Sequence, residues 1–141
     1  MIPRLVLTGL VRYDSFSFFG SDYNTPDGTC IRDFIHVRDL STTHVKLLAY
    51  ISENHTSVAL NCGTGSGCSV NQVMNMAQKV MNKELLIVYA QRRYGDPEQF
   101  IAANDEICSV LDWTPKYSDL ECTVRDCYSF LNILIIFEGN S

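Results

Sequence analysis

At 141 residues, 46% hydrophobic and 19% charged, the chain is of single-domain size and can bury most of its unfolded surface around one core. Eleven basic against sixteen acidic residues give a formal charge of −5 with the cations scattered, which excludes the basic footprint of a duplex nucleic-acid binder. No stretch is long and apolar enough to span a bilayer, and none has the charge-rich composition of a disordered segment.

Residues 3–11 are densely apolar behind Pro3, which suits a helix with proline in its first turn or else a buried strand; the helix is preferred. A basic residue ahead of a short apolar run imitates a secretory leader. A small-residue cleavage site is lacking, however, and Tyr13-Asp14 follow directly. Phe16-Ser17-Phe18-Phe19-Gly20 then alternates aromatic with polar, the pattern of a short strand whose end carries an accessible aromatic. Pro26-Asp27-Gly28 is a turn signal: proline presets φ and glycine tolerates positive φ. Behind it an apolar, strand-like run reaches Val37, with Arg32-Asp33 near its start. A guanidinium at such a handover can offer two parallel donors to one phosphate.

Leu40, His44, Leu47, Leu48 and Ile51 recur at helical spacing, so a helix is expected with these residues on its packed face. His36 and His44 read as hydrogen-bonded core residues, since no cluster of His, Cys or acid stands at metal spacing in the sequence near either. Residues 58–62 are a buried-strand candidate. Gly63-Thr64-Gly65-Ser66-Gly67 turns the chain into a capping box, Ser69 with Gln72, and a helix with Val70, Val73, Ala77, Val80 and Met81 on one face. The glycines match neither a dinucleotide fingerprint nor a P-loop, so a tight turn is preferred over a phosphate site.

Residues 85–89 form another strand candidate, followed by the polar loop Gln91-Arg92-Arg93-Tyr94-Gly95-Asp96-Pro97. The arginine pair suits a solvated surface or an anion clamp equally, and Asp96 could accept from a sugar hydroxyl or restrain Arg93. Residues 104–111 read as a short helix. Ser118 to Glu121 forms a second capping box, leading into a helix with Leu120, Val124, Cys127 or Tyr128, and Leu131 inward. The six cysteines, with no Cys-x-x-Cys among them and apolar neighbours, read as buried free thiols of a reducing, cytoplasmic compartment.

Taken in order, Phe19-Gly20-Ser21-Asp22-Tyr23-Asn24-Thr25-Pro26-Asp27-Gly28-Thr29-Cys30-Ile31-Arg32-Asp33-Phe34-Ile35-His36-Val37-Arg38-Asp39-Leu40, Leu60-Asn61-Cys62-Gly63-Thr64-Gly65, Arg92-Arg93-Tyr94-Gly95-Asp96-Pro97 and Leu111-Asp112-Trp113-Thr114-Pro115-Lys116-Tyr117 resemble the UDP-glucose 4-epimerases of the extended short-chain dehydrogenase/reductase family. The resemblance runs from about residue 2 to about residue 128. It implies an α/β chain, residues 1–141, that forms the UDP-sugar-binding C-terminal portion of a Rossmann-like fold without the N-terminal NAD-binding half. That half carries the family's Gly-rich NAD turn and its Tyr-x-x-x-Lys pair, and neither motif occurs here.

The resemblance further implies that Arg32 and Arg93 grip the UDP diphosphate, that Asp96 meets the nucleotide ribose, and that Ser17, Phe18 and Phe19 line the uracil. No catalytic residue, NAD-binding residue or metal ligand is implied for this chain, and no bound NAD is expected on it alone. Its partners would be UDP-glucose or UDP-galactose and the missing N-terminal half or a homodimer partner, with no nucleic acid or membrane. Alternatives are a fragment of an epimerase for another UDP-sugar, a pentose or an N-acetylhexosamine, and a non-catalytic interaction fragment. Met1 falls where family members are in mid-chain, which implies a truncation or a misassigned start, and the apolar tail over residues 130–141 departs from the family's polar finish.

Overall fold

The computed structural model describes residues 1–139, in the order α1 (Ile2–Gly9), β1 (Phe16–Phe19), β2 (Ile31–Arg32), α2 (Val37–Asn54), β3 (Cys68–Ser69), α3 (Val70–Met81), β4 (Ile87–Ala90), β5 (Gln99–Phe100), α4 (Asp105–Leu111) and α5 (Leu120–Gly139). Pro3 does stand in the first turn of α1, where its missing N–H leaves no bond unmade, and Ile2, Leu5 and Val6 turn inward. Among the described residues no helix is long and apolar enough to cross a membrane.

β1 and β4 pair in parallel, Phe16 beside Ile87 and Phe19 beside Ala90. A second, short sheet has β2 at its centre, antiparallel to β3 and parallel to β5. The larger core lies where α1, α3 and α5 pack on β1: Leu5, Val6, Phe16, Phe18, Val73, Ala77 and Val124 are buried together. α3 enters this core through the expected capping box. Ser69 Oγ accepts from the Gln72 N–H at 3.1 Å, and the Ser69 N–H donates to Gln72 Oε1 at 2.9 Å. On α5 the expected stripe holds, with Val124 buried and Leu120, Cys127, Tyr128 and Leu131 packed against the same core. A smaller cluster of Ile107, Leu111 and Trp113 joins α4 to Leu47 and Tyr50 of α2. All six cysteines are free thiols, Cys30 buried and the others half-buried.

Several expectations are corrected. The strand behind the turn ends at Arg32, because only Ile31 and Arg32 have neighbours on both sides. His36 becomes the N-cap of α2 instead, buried, its Nδ1 accepting from the Arg38 N–H at 3.1 Å. His44 is exposed, its Nδ1 2.8 Å from the Leu40 carbonyl, and Leu48 and Ile51 are exposed with it. The inward side of α2 carries Asp39 and Thr43. Both are polar, and of the expected stripe only Leu40 and Leu47 lie partly inward, Leu47 against the smaller cluster.

Residues 58–62 form no strand: no described segment pairs with them in a ladder, and Leu60 and Cys62 pack on the smaller cluster instead. The box at Ser118 is not formed either. Ser118 Oγ accepts from the His36 N–H at 2.9 Å and donates to Asp39 at 2.7 Å, so the adjacent Asp119 caps α5 by accepting from the Cys122 N–H at 3.0 Å. The tail was expected to diverge from residue 130; its described part, through Gly139, continues α5, and residues 140–141 lie outside the described residues.

Candidate functional site

A cavity of about 540 Å³ opens where β1, β2 and the loop behind β4 meet, within the size range of small-ligand pockets. Ser17 and Phe19 reach it from β1, Arg32 from β2, and Arg93 and Asp96 from the loop. The parallel pairing of β1 with β4 explains the meeting. It sets Phe19 beside Ala90, and the chain leaving β4 returns Arg93 over the Phe19 ring at 4.0 Å.

The turn that aims β2 is built as its residues require. Gly28 has φ +76, and a Cβ there would stand 2.5 Å from the Ser21 carbonyl oxygen. Asp27 accepts from the Thr29 N–H at 3.0 Å and the Thr29 hydroxyl at 2.8 Å, and its other oxygen accepts from Ser69 Oγ. Burial alone would raise the Asp27 pKa, but the bonds from Ser69, Thr29 and Asn71 outweigh it and hold the carboxyl below its ordinary value.

Arg32 leaves this turn with Nη2 on Asp96 Oδ1 at 2.7 Å and Nη1 on the Ile31 carbonyl at 2.7 Å. Asp96 thus restrains Arg32, not Arg93. The ion pair is partly exposed and contributes little to stability, but it fixes the guanidinium at the cavity wall. The arginine pair divides its roles. Arg92 braces the preceding loop, with Nε on Asp22 Oδ1 at 3.1 Å, Nη2 on the Asp22 carbonyl at 2.8 Å, and its guanidinium 4.6 Å from the Tyr23 ring. Arg93 alone of the two faces the cavity.

Five of the six expected site residues therefore converge. Phe18 does not: it is buried in the larger core, with its ring 5.3 Å from that of Tyr89. Phe34, Cys30 and Arg4 line the cavity without having been singled out. Cys30, Arg32 and Phe34 stand two residues apart, so a period of two from Arg32 is the signal that finds the first pair. Arg4 has no such signal, being brought in by α1. Burial pushes the Cys30 thiol up despite Arg32 nearby, which keeps it protonated and apolar in behaviour.

The Gly-rich loop is the tight turn expected. The Thr64 N–H donates to both oxygens of Asp33 at 3.0 Å, the Gly65 N–H to Oδ2 at 3.2 Å and the Thr64 hydroxyl to Oδ1 at 2.6 Å. A carboxylate thus already takes the donors that an NAD phosphate would need, and this loop does not fit that cofactor. The fold also gathers what sequence spacing hides: His36, Cys122 and Asp126 offer ligand atoms within 4.8 Å of one another. The N-cap bond opposes a metal there. With Nδ1 accepting from Arg38, the neutral ring carries its proton on Nε2, which faces Asp126 Oδ2 at 3.3 Å as a donor.

The UDP-glucose 4-epimerase of Rhizobium meliloti is 45% identical to this chain over 129 residues, 92% of the chain and 39% of that protein. In sequence and fold the chain matches the C-terminal part of the UDP-glucose 4-epimerases. The UDP-Glc/GlcNAc 4-epimerase of Campylobacter jejuni superposes with a TM-score of 0.85 at 38% identity, covering 94% of the chain and 40% of that structure. The UDP-glucose 4-epimerase of Bifidobacterium longum, solved in complex with NAD+ and UDP, superposes with a TM-score of 0.84 at 26% identity, covering 94% and 39%. No family profile matches. The chain is α/β, its solved neighbours are Rossmann-like epimerases, and it spans about two fifths of the length of the curated relatives it matches.

Proposed function

We propose that residues 1–141 form the UDP-sugar-binding lobe of an epimerase that interconverts UDP-glucose and UDP-galactose, with NAD and the proton-transferring residues supplied by a segment outside this sequence. The observation that carries this reading is the convergence of Arg32 and Arg93 on one cavity, with Phe19 and Asp96 beside them. Each guanidinium can offer parallel donors to a phosphate, so the pair answers the charge of a diphosphate. The Phe19 ring packs on the uracil, Ser17 lines the base, and Asp96 accepts from a ribose hydroxyl. Phe18 supports the strand from the core. NAD, when bound by the complete enzyme, supplies hydride transfer. The residues of this chain hold and orient the nucleotide, and the chain alone is catalytically silent.

Calorimetric titration with UDP and UDP-glucose tests this. Arg32→Ala and Arg93→Ala are each expected to weaken binding by about 10- to 100-fold, the loss of charge-assisted bonds worth roughly 1.5–3 kcal/mol. The purified chain is expected to show no epimerase turnover and no nicotinamide absorbance. Unchanged affinity in both variants, or robust turnover, would overturn the reading. The same contacts suit a UDP-N-acetylhexosamine, in keeping with the name of the Campylobacter jejuni relative, and a panel of UDP-sugars separates the two by affinity.

A further inference from the structure

Among the described residues three arginines line the nucleotide cavity, and two have partners within it: Arg32 lies 2.7 Å from Asp96, and Arg93 covers the Phe19 ring at 4.0 Å. The third, Arg4, pairs with no carboxylate among the described residues. It stands in the first turn of α1, the positive end of the helix dipole, so the helix itself gains nothing from a cation there. Its guanidinium lies 3.3 Å from the centre of the Tyr13 ring, a contact that holds an otherwise exposed side chain at the cavity wall.

The position of Arg4 along the cavity limits what it can meet. Arg4 stacks on Tyr13, three residues ahead of β1, whereas Arg93 covers Phe19, the last residue of that strand. The two cations therefore enter the cavity from opposite ends of β1. In a nucleotide whose diphosphate rests on Arg32 and Arg93, the ribose follows at Asp96 and the base lies along Ser17. The C4 carbonyl of uracil stands across the ring from N1, the atom that carries the ribose, so it points away from the diphosphate and toward the end where Arg4 enters.

Resting on the UDP-sugar reading above, we propose that Arg4 is a base-selecting residue, its guanidinium donating to the C4 carbonyl oxygen of the uracil. Cytosine carries an amino group at C4, a donor where uracil has an acceptor, so the same guanidinium disfavours a cytidine nucleotide. UDP and CDP bear the same charge on their diphosphates. A cation that merely attracted the anion would strengthen both equally, whereas a base-selecting one separates them.

Calorimetric titration of the wild-type chain, Arg4→Met and Arg32→Ala, each with UDP and with CDP, tests this. The wild-type chain is expected to prefer UDP about tenfold. Arg4→Met keeps the apolar stem and removes the donors; it is expected to weaken UDP binding about five- to tenfold and to leave CDP within about twofold, so that the preference collapses. Arg32→Ala is expected to weaken both nucleotides alike. Three results overturn the proposal: a wild-type chain that binds UDP and CDP equally, a UDP preference that survives in Arg4→Met, or equal losses of UDP and CDP in that variant. If Arg32→Ala loses affinity while Arg4→Met keeps the wild-type preference, only this inference falls. If the wild-type chain binds neither nucleotide, the UDP-sugar reading falls and takes this inference with it.

Discussion

The two packed regions of the molecule are held by different forces. Where α1, α3 and α5 meet β1, Leu5, Val6, Val73, Ala77 and Val124 are wholly buried, although the later turns of α5 leave Phe130, Ile133 and Phe137 exposed. On α2, Val37, Val45 and Leu48 are each about two-thirds exposed, while the inward side adds polar bonds to the small apolar cluster around Leu47 and Tyr50. Asp39 accepts from the Lys116 N–H at 2.9 Å, the Tyr117 N–H at 2.8 Å and the Ser118 hydroxyl at 2.7 Å. Lys46 Nζ reaches the carbonyls that end α4, Leu111 at 3.0 Å and Asp112 at 2.6 Å, a favourable place for a cation. The first region is a finished core. The second joins a small apolar cluster of Ile107, Leu111, Trp113, Leu47 and Tyr50 to these polar bonds and leaves the outer face of α2 open.

Substitutions should separate the two regions by size of effect. Leu5→Ala opens a cavity in the finished core and is expected to cost about 2–5 kcal/mol, read from the urea midpoint. Asp39→Ala leaves partly buried donors of the segment before α5 without their acceptor, an expected loss of about 1–3 kcal/mol.

Asp39 also sets an acid limit. Burial pushes its carboxyl up, but the Ser118 hydroxyl and the N–H groups of residues 116–118 outweigh this and hold it below its ordinary value. A carboxylate depressed in the folded state stabilises fully above its unfolded pKa of about 3.9, and that contribution is lost as pH falls through the folded value. Wild-type stability should therefore drop below about pH 4, and the drop should be shallower in Asp39→Ala; parallel pH profiles would show that other carboxylates carry it.

Ser69→Ala removes the cap of α3 and should lower stability by about 1 kcal/mol, a melting shift of a few degrees. Leu48→Ala, on the open face of α2, should change stability by less than about 0.5 kcal/mol. A loss approaching that of Leu5→Ala would show this face covered in solution, and sedimentation would then reveal a second copy on it.

What could be read in advance followed local rules. Pro3, the Asp27-Gly28 turn, the Ser69 and Gln72 box and the stripe from Leu120 to Leu131 each act within a few residues, and each is found as expected. The failures share one cause, competition from a distant group. Ser118 has the right spacing for a cap, but Asp39, far along the chain, takes its hydroxyl. Residues 58–62 have strand composition yet lack a neighbouring strand among the described residues. His44, Leu48 and Ile51 have a helical period, but which face turns inward was decided by the partners of Asp39 and Thr43. In the site, Arg32, Arg93 and Asp96 were legible through family resemblance, whereas the division of labour between Arg92 and Arg93 was not, because it depends on Asp22 waiting across the loop for one of them.

By itself the sequence determined the turns, caps and periods, since these depend on backbone preference and on contacts three or four residues away. The order of its motifs was enough to tie the chain to the UDP-sugar epimerases. Only the tertiary structure decided that Asp96 restrains Arg32 and that Phe18 leaves the site for the core. Those outcomes turn on which side chains compete for one donor or one cavity across dozens of residues, and no local pattern records the result of that competition.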